Sequence, residues 1–306
     1  MWNIVQYRGL YFLFSAIVIL GGISTLFMGP GLSLSIEFKG GAAVRAEFSQ
    51  PVTQEAVEQV ISGQLQYENG IIQSFGNGEF LIRLPLSEDA VNQENEIRTG
   101  LEQLSALNMN FDQVSPTIAK ETVVNAIIAI GVAVLGILAF IIYAFRGVAH
   151  SFRYGVTAIL ALAHDILVAF AVAGVASAFF GNIFRLEISS MFLVGVLTLL
   201  GYSINDTIVI FDRIRENLLR ETHSTLEETV NFSILESMGR SINTSFTTLV
   251  VLLSLLLVGP ISIFDFIFVM IIGVISGTYS SIFTASQVLV SWETRSFGRM
   301  PFSNKR

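Results

Sequence analysis

Six apolar stretches of roughly twenty residues each dominate this chain: Leu10 to Met28, Val123 to Phe145, Val156 to Phe180, Ile188 to Phe211, Ile242 to Val258 and Phe264 to Val290. A helix of that length matches the hydrocarbon thickness of a bilayer, and within lipid the backbone must satisfy its own polar groups. The expectation is an α-helical polytopic membrane protein with six transmembrane helices. Composition agrees, because 306 residues that are 52% hydrophobic and 13% charged carry more apolar surface than one soluble core can hide.

Between the first two stretches lies an insert of different character. From Gly29 to Glu121 it holds thirteen acids against five bases. Short alternating runs predict strands at Leu34 to Phe38, Ala43 to Phe48, Ile71 to Phe75, Phe80 to Leu84 and Phe111 to Val114, with helices at Thr53 to Leu65 and Ser87 to Leu107. A small α+β domain of ferredoxin-like type fits this pattern best. Lys39-Gly40-Gly41 reads as a tight turn.

The bases outside the insert cluster at Arg8, at Arg146 and Arg153, at Arg213, Arg215 and Arg220, and at Arg295, Arg299, Lys305 and Arg306. With six spans these sites fall on one side, and the short loops of the other side carry only Arg185. Both termini are therefore expected in the cytoplasm and the acidic domain outside. The organisation expected is residues 1–28 as an N-terminus with an uncleaved first helix, 29–121 as the extracytoplasmic domain, 122–292 as helices two to six with a cytoplasmic loop at 212–240, and 293–306 as a cytoplasmic tail. Within that loop Asp212 to Asn217 forms a charged, topology-setting face. Leu226, Val230, Ile234 and Met238 have the spacing of an interfacial helix over Thr225 to Met238.

Several kinds of chemistry are not encoded. Cysteine is absent, which removes disulfides, thiol nucleophiles and thiolate metal sites. His150, His164 and His223 lack metal-ligand spacing, so no metal and no cofactor are expected. There is no phosphate-binding Gly-Lys loop, so any work must draw on another source than ATP. No nucleophile motif or carboxylate pair in a soluble cleft suggests an enzyme. A net charge of −7 with an acidic domain argues against nucleic acid.

What does stand out is ionisable residues within apolar runs, where charge costs at least a few kcal/mol on insertion scales. Asp206 lies within Gly201 to Phe211, Asp165 follows His164 in the third stretch, and Arg240 opens the fifth. Helical spacing places Tyr202, Ser203 and Asp206 on one face, with Asn205 beside them, and Arg240, Thr244, Thr247 and Thr248 in a polar stripe. If the two stripes face one another, Asp206 and Arg240 meet. Their pairing is either a proton switch, released when the acid is protonated, or a static ion pair that fixes helix register. Asp165 with His164 is either a second relay or an acid bonded to neighbouring hydroxyls.

Five segments carry a family resemblance: Ser35 to Gly41, Ser115-Pro116-Thr117, His164-Asp165, Gly201 to Asn217 and Arg240 to Leu249. In this order, and over essentially the whole chain, they resemble the SecF subunits of the bacterial SecD-SecF protein-export family, relatives of the resistance-nodulation-division exporters. Ser35 and Glu37 depart from the family's usual Gly-Ile-Asp-Phe. The resemblance implies Asp206 and Arg240 as proton-path residues. It also implies a bacterial cytoplasmic-membrane location, SecD and the SecYEG channel as partners with YajC and YidC as further candidates, and a proton-powered late pull on a translocating chain. Half of a proton-coupled small-molecule or lipid exporter is the alternative, although an outer domain of about ninety residues is small for a deep ligand cleft.

Overall fold

The computed structural model describes residues 3–28, 32–67, 70–76, 78–87, 89–148, 150–180, 186–220 and 225–296. Arg185, His223, Arg299, Lys305 and Arg306 lie outside them. The chain divides into two compact units, one of Ser33–Ile128 and one of Met1–Leu32 with Ala129–Arg306.

In the smaller unit β1 (Ser33–Leu34) and α2 (Ile36–Lys39) precede β2 (Gly41–Phe48), α3 (Gln54–Glu58) with a π-helical continuation Gln59–Gln64, β3 (Ile71–Gly76), β4 (Glu79–Leu84), α4 (Ala90–Glu102) and β5 (Ala106–Val114). The four longer strands form one antiparallel sheet in the order β3-β4-β2-β5, with Val44 opposite both Ile82 and Phe111. Thr53 and Asp89 cap the two helices by accepting from the amides of Ala56 and Asn92. Val57, Ile61, Ile97 and Leu101 from the helices bury with Val44, Phe80 and Ile82 from the sheet.

Two expectations need correction. Leu34 to Phe38 is not a strand, because Ile36–Lys39 makes a helical turn that ends at Gly40 and Gly41, with φ of +78° and +137°. Only glycine fits there: a Cβ on Gly41 would sit 2.8 Å from the Leu84 carbonyl oxygen. The second helix stops at Glu102 rather than Leu107. Ser105 turns the chain with φ +66°, and β5 starts at Ala106 so that Met109 and Phe111 can pack on the core.

The larger unit contains α1 (Arg8–Met28), α6 (Ser151–Phe180), β6 (Glu187–Ile188), α7 (Ser190–Leu219), α8 (Leu226–Val258), α9 (Phe264–Ser280) and α10 (Ser286–Thr294). α5 (Pro116–Ala144) enters it from the smaller unit's sequence. A π-helical turn, Ser281–Ala285, joins α9 to α10 into one helical run. Among the described residues six helical segments are long and apolar enough to cross a membrane. The described residues of segment 212–240, expected as a loop, are largely helical, Asp212–Leu219 within α7 and Leu226–Arg240 within α8. Asp212 to Asn217 continues α7, and the expected interfacial helix is continuous with the fifth span in a 33-residue helix about 50 Å long.

Polar contacts hold these helix ends together. Arg213 pairs with Glu216 at 2.7 Å and Glu236 at 3.4 Å, and buried Asn217 donates to Ser233 at 2.9 Å. Arg8, read above as a topology signal, is a buried structural group. It pairs with Glu227 at 2.9 Å and donates to the Ser296 carbonyl, while Asn231 Oδ1 accepts from the amide of Ile4 at 2.7 Å.

Lipid offers helices no hydrophobic reason to associate, so close approach through small residues carries the packing. Against α6, a Cβ on Gly22 would fall 2.4 Å from Ala171 Cβ and 2.7 Å from Ala171 backbone atoms. Against α7, a Cβ on Gly273 would fall 2.2 Å from Leu199 Cδ1. Neighbouring Gly21 faces open space. Gly22→Ala is therefore expected to destabilise the bundle by about 1–3 kcal/mol, whereas Gly21→Ala leaves it unchanged or stabilises it through helix propensity. Thermal unfolding of the two variants in detergent checks the contrast.

In the smaller unit burial, followed by the 2.8 Å hydrogen bond to Glu96, pushes the Tyr67 phenol up to about 12. A raised folded-state value favours the protonated form. Its stabilisation is present below the ordinary tyrosine value of 10.0 and is lost as pH rises through about 12. Tyr67→Phe is expected to reduce the late phenolate absorbance step by the contribution of one tyrosine.

Candidate functional site

α7 carries a polar face through the middle of the larger unit, and its residues engage three different helices. Tyr202 donates its hydroxyl to Thr248 Oγ1 on α8 at 3.3 Å, with Ser245 Oγ at 3.5 Å. One residue on, Ser203 donates to Asp165 Oδ2 on α6 at 2.5 Å. One turn further, Asp206 Oδ2 accepts from Ser281 at 2.7 Å, where the π-helical turn begins. Thr207 is buried, and beyond it the helix turns apolar, with Ile210, Phe211 and Ile214 packed around Phe145 and Tyr154.

Asp165 is fully buried and every oxygen is engaged. Besides Ser203, Oδ2 accepts from Ser280 at 2.7 Å; Oδ1 accepts from Ser276 at 2.6 Å and faces His164 Nδ1 at 3.0 Å. Ser276 and Ser280 are one helical turn apart on α9, so one face supplies both hydroxyls. Glycine makes their approach possible, since a Cβ on Gly277 would fall 3.0 Å from Ser203 Cβ. His164 continues the chain of contacts through Nε2 to Ser15 Oγ on α1 at 3.0 Å. Ser15 lies 3.3 Å from Tyr279 Oη, and Tyr279 donates to the Tyr11 carbonyl at 2.9 Å. An acid in α6 is thus tied to α1, α7 and α9 at once.

The expected pairing of Asp206 with Arg240 is not made. Arg240 is exposed and forms no ion pair among the described residues, and Asp206 faces Ser281 instead. The two stripes do meet, but through Tyr202, Thr248 and Ser245 rather than through opposite charges. Thr244 and Thr247 are exposed and return their hydroxyls to backbone carbonyls of their own helix, and Asn205 is exposed. The physical reason is helix rotation: α8 presents Ser241 and Ser245 inward, which turns Arg240 and Thr244 out.

Sequence reading missed Ser15, Ser276, Tyr279, Ser280 and Ser281. The available signal was Gly273 and Gly277 interleaved with Ser276 and Ser280, two small-residue pairs at helical spacing in an otherwise apolar span.

Six membrane-length helices around a buried, hydroxyl-caged acid, with a compact α+β unit inserted after the first, define a polytopic membrane protein with an internal polar core. Residues 93–295 match the family described as protein export membrane protein SecD/SecF, C-terminal. The protein translocase subunit SecF of Thermobaculum terrenum is 39% identical over 98% of this chain and 96% of its own length, and that of Anaerolinea thermophila 35% identical over 96% and 95%. The crystal structure of SecDF, a translocon-associated membrane protein from Thermus, superposes with a TM-score of 0.77 at 31% identity. It covers 96% of this chain, which spans about 40% of that longer one. The chain belongs to the SecD/SecF protein export family.

Deleting the buried carboxylate strands the donors around it, and a hydrogen bond to a charged group contributes about 1.5–3 kcal/mol. Asp165→Leu is expected to cost more stability than Ser276→Ala, which removes one of the four contacts and should cost about 1.5–3 kcal/mol. Denaturant unfolding of both variants in detergent measures the order.

Proposed function

We propose that this chain is an accessory subunit of the Sec protein translocation machinery, using the proton motive force to promote late, ATP-independent export of preproteins across the bacterial cytoplasmic membrane. The observation that carries this reading is similarity along almost the whole chain to protein translocase subunits SecF. One charge crossing the membrane releases about 2.3 kcal/mol per 100 mV, enough to bias a conformational equilibrium.

Asp206, Arg240 and Asp165 are the proposed proton-path residues. Tyr202, Ser203, Asn205, Thr244, Thr247, Thr248 and His164 support them. Protonating Asp206 turns a pure acceptor into a group that can donate, which changes what it can exchange with Ser281. Ser281 opens the π-helical turn, an irregularity that often marks functional positions in helices. A proton arriving at Asp206 thereby acts at the joint between α9 and α10, and a shift there is the proposed link to movement of the outer unit.

The exposed polar residues of α7 and α8 support SecD as the direct partner. Arg240 and Asn205 on membrane helices are costly against lipid, and a second bundle lying on them removes that cost. In Bacillus subtilis SecDF the matching region is 38% of a single longer chain, as expected if two such bundles work as one. SecYEG, YajC and YidC are proposed further partners. The smaller unit's β-α-β-β-α-β order supports a ferredoxin-like domain, and the clustering of bases at Arg8, Arg146, Arg153, Arg213, Arg215 and Arg220 supports placing it outside the membrane with both termini cytoplasmic.

Sealed vesicles containing this chain and SecD, with an imposed proton gradient, test the assignment. Asp206→Asn is expected to abolish gradient-stimulated export while assembly with SecD is retained. Stimulation at the wild-type level would sink the proton role of Asp206.

A further inference from the structure

The acid at the centre of the buried network has no acceptor position left. A carboxylate offers about four lone-pair directions, and Asp165 fills them with Ser203, Ser280, Ser276 and His164 Nδ1. Placing a proton on either oxygen forces one donor to swing away inside a site with no solvent exposure, leaving that donor unpaired. The imidazole is different. We propose that His164, rather than Asp165, is the proton-binding group of this second buried site, and that the Ser15 hydroxyl reverses direction when the proton arrives. This inference rests on the proton-driven reading above and refines it: Asp165 stays on the path as the buried counter-charge, and the proton itself sits on His164.

Nδ1 faces a carboxylate, which can only accept, so Nδ1 carries hydrogen and Nε2 is the acceptor of the neutral ring. The partner of Nε2 is Ser15 Oγ at 3.0 Å, whose single hydrogen has two possible destinations, Nε2 and Tyr279 Oη at 3.3 Å. Tyr279 commits its own hydrogen to the Tyr11 carbonyl, so its oxygen is left to accept. With His164 neutral, Ser15 donates to Nε2. With a proton bound at Nε2 the ring donates at both nitrogens, and Ser15 accepts and turns its hydrogen to Tyr279. Both states keep Nε2 and the Ser15 hydroxyl paired, and no heavy atom has to move. No covalent bond breaks; one proton is gained at Nε2.

The titratable groups facing the ring are Asp165 on α6, Tyr279 on α9 and, behind Tyr279, Tyr11 on α1, while Asp206 on α7 is turned to Ser281. Asp165 is the buried counter-charge that an imidazolium requires. The Tyr279 ring lies alongside at 6.0 Å between centroids and 23° between planes, a placement that suits a cation. Proton occupancy at His164 therefore sets the direction of hydrogen bonding along the α1, α6 and α9 seam.

Nitrogen-15 NMR of histidine-labelled full chain, assembled with SecD in lipid nanodiscs, reads this directly. His150→Gln and His223→Gln remove the other two histidines. On acidification Nδ1 is expected to stay protonated while Nε2 converts from acceptor to N–H. Ser15→Ala, which removes the hydroxyl paired with Nε2, should alter that conversion, Ser15→Thr should restore it, and Asp165→Asn should abolish it. A ring whose Nε2 stays unprotonated throughout, or whose conversion is indifferent to Ser15→Ala, overturns the assignment, and the first of these needs no variant of the network. Such a failure is distinguishable from failure of the underlying reading, which Asp206→Asn in the export assay reports independently.

Discussion

A carboxylate with no access to water must be met on every side, and Asp165 is met by side chains from α6, α7 and α9. Much of the membrane unit follows from that requirement. Ser203 reaches it only because Gly277 lets α7 and α9 approach closely, and His164 is held in one orientation because its two nitrogens bridge Asp165 and Ser15. Removing the carboxylate strands all four of its partners, whereas removing one hydroxyl opens a single acceptor position, so the core depends on Asp165 more than on any one donor.

Two acids in neighbouring helices end up in contrasting surroundings. Asp165 is saturated with donors and enclosed, whereas Asp206 accepts from Ser281 alone among the described residues, is only partly buried and faces the π-helical joint of the sixth span. A saturated acid suits a fixed charge, and an acid with spare acceptor capacity beside a helix irregularity suits a site that changes state. That contrast supports a division of labour in which Asp165 anchors and orients while Asp206 and the imidazole of His164 exchange protons.

Much of the architecture was legible in the residues. Six apolar runs announced six spans, and the acidic insert announced a separate α+β unit, because hydrophobic length and period-two alternation are local signals. Errors fell where local signals are weak. Ile36–Lys39 is a helical turn in a run that looks extended, and β5 begins within a predicted helix because Ser105 reverses the chain and the sheet claims Ala106 onward. The fifth span and the interfacial helix read as two elements, since an amphipathic period gives way to an apolar run beyond Gly239; the helix continues through that glycine and the backbone is one rod. Asp206, Asp165 and His164 stood out because charge is scarce in lipid, while the serines that hold them did not, since serine in an apolar span is common and cheap.

By itself the sequence determined that this chain crosses a membrane, where its soluble insert lies, which ionisable residues are embedded and which family it resembles, because each is written in length, composition or contiguous motif. Only the tertiary structure decided who meets whom. The rotation of α8 about its axis turns Arg240 away from Asp206 and brings Ser245 to Tyr202, and the glycine-lined approach of α9 brings Ser276 and Ser280 to Asp165. Helical spacing names the residues that share a face, but which face turns inward is settled by packing against helices far away in the chain.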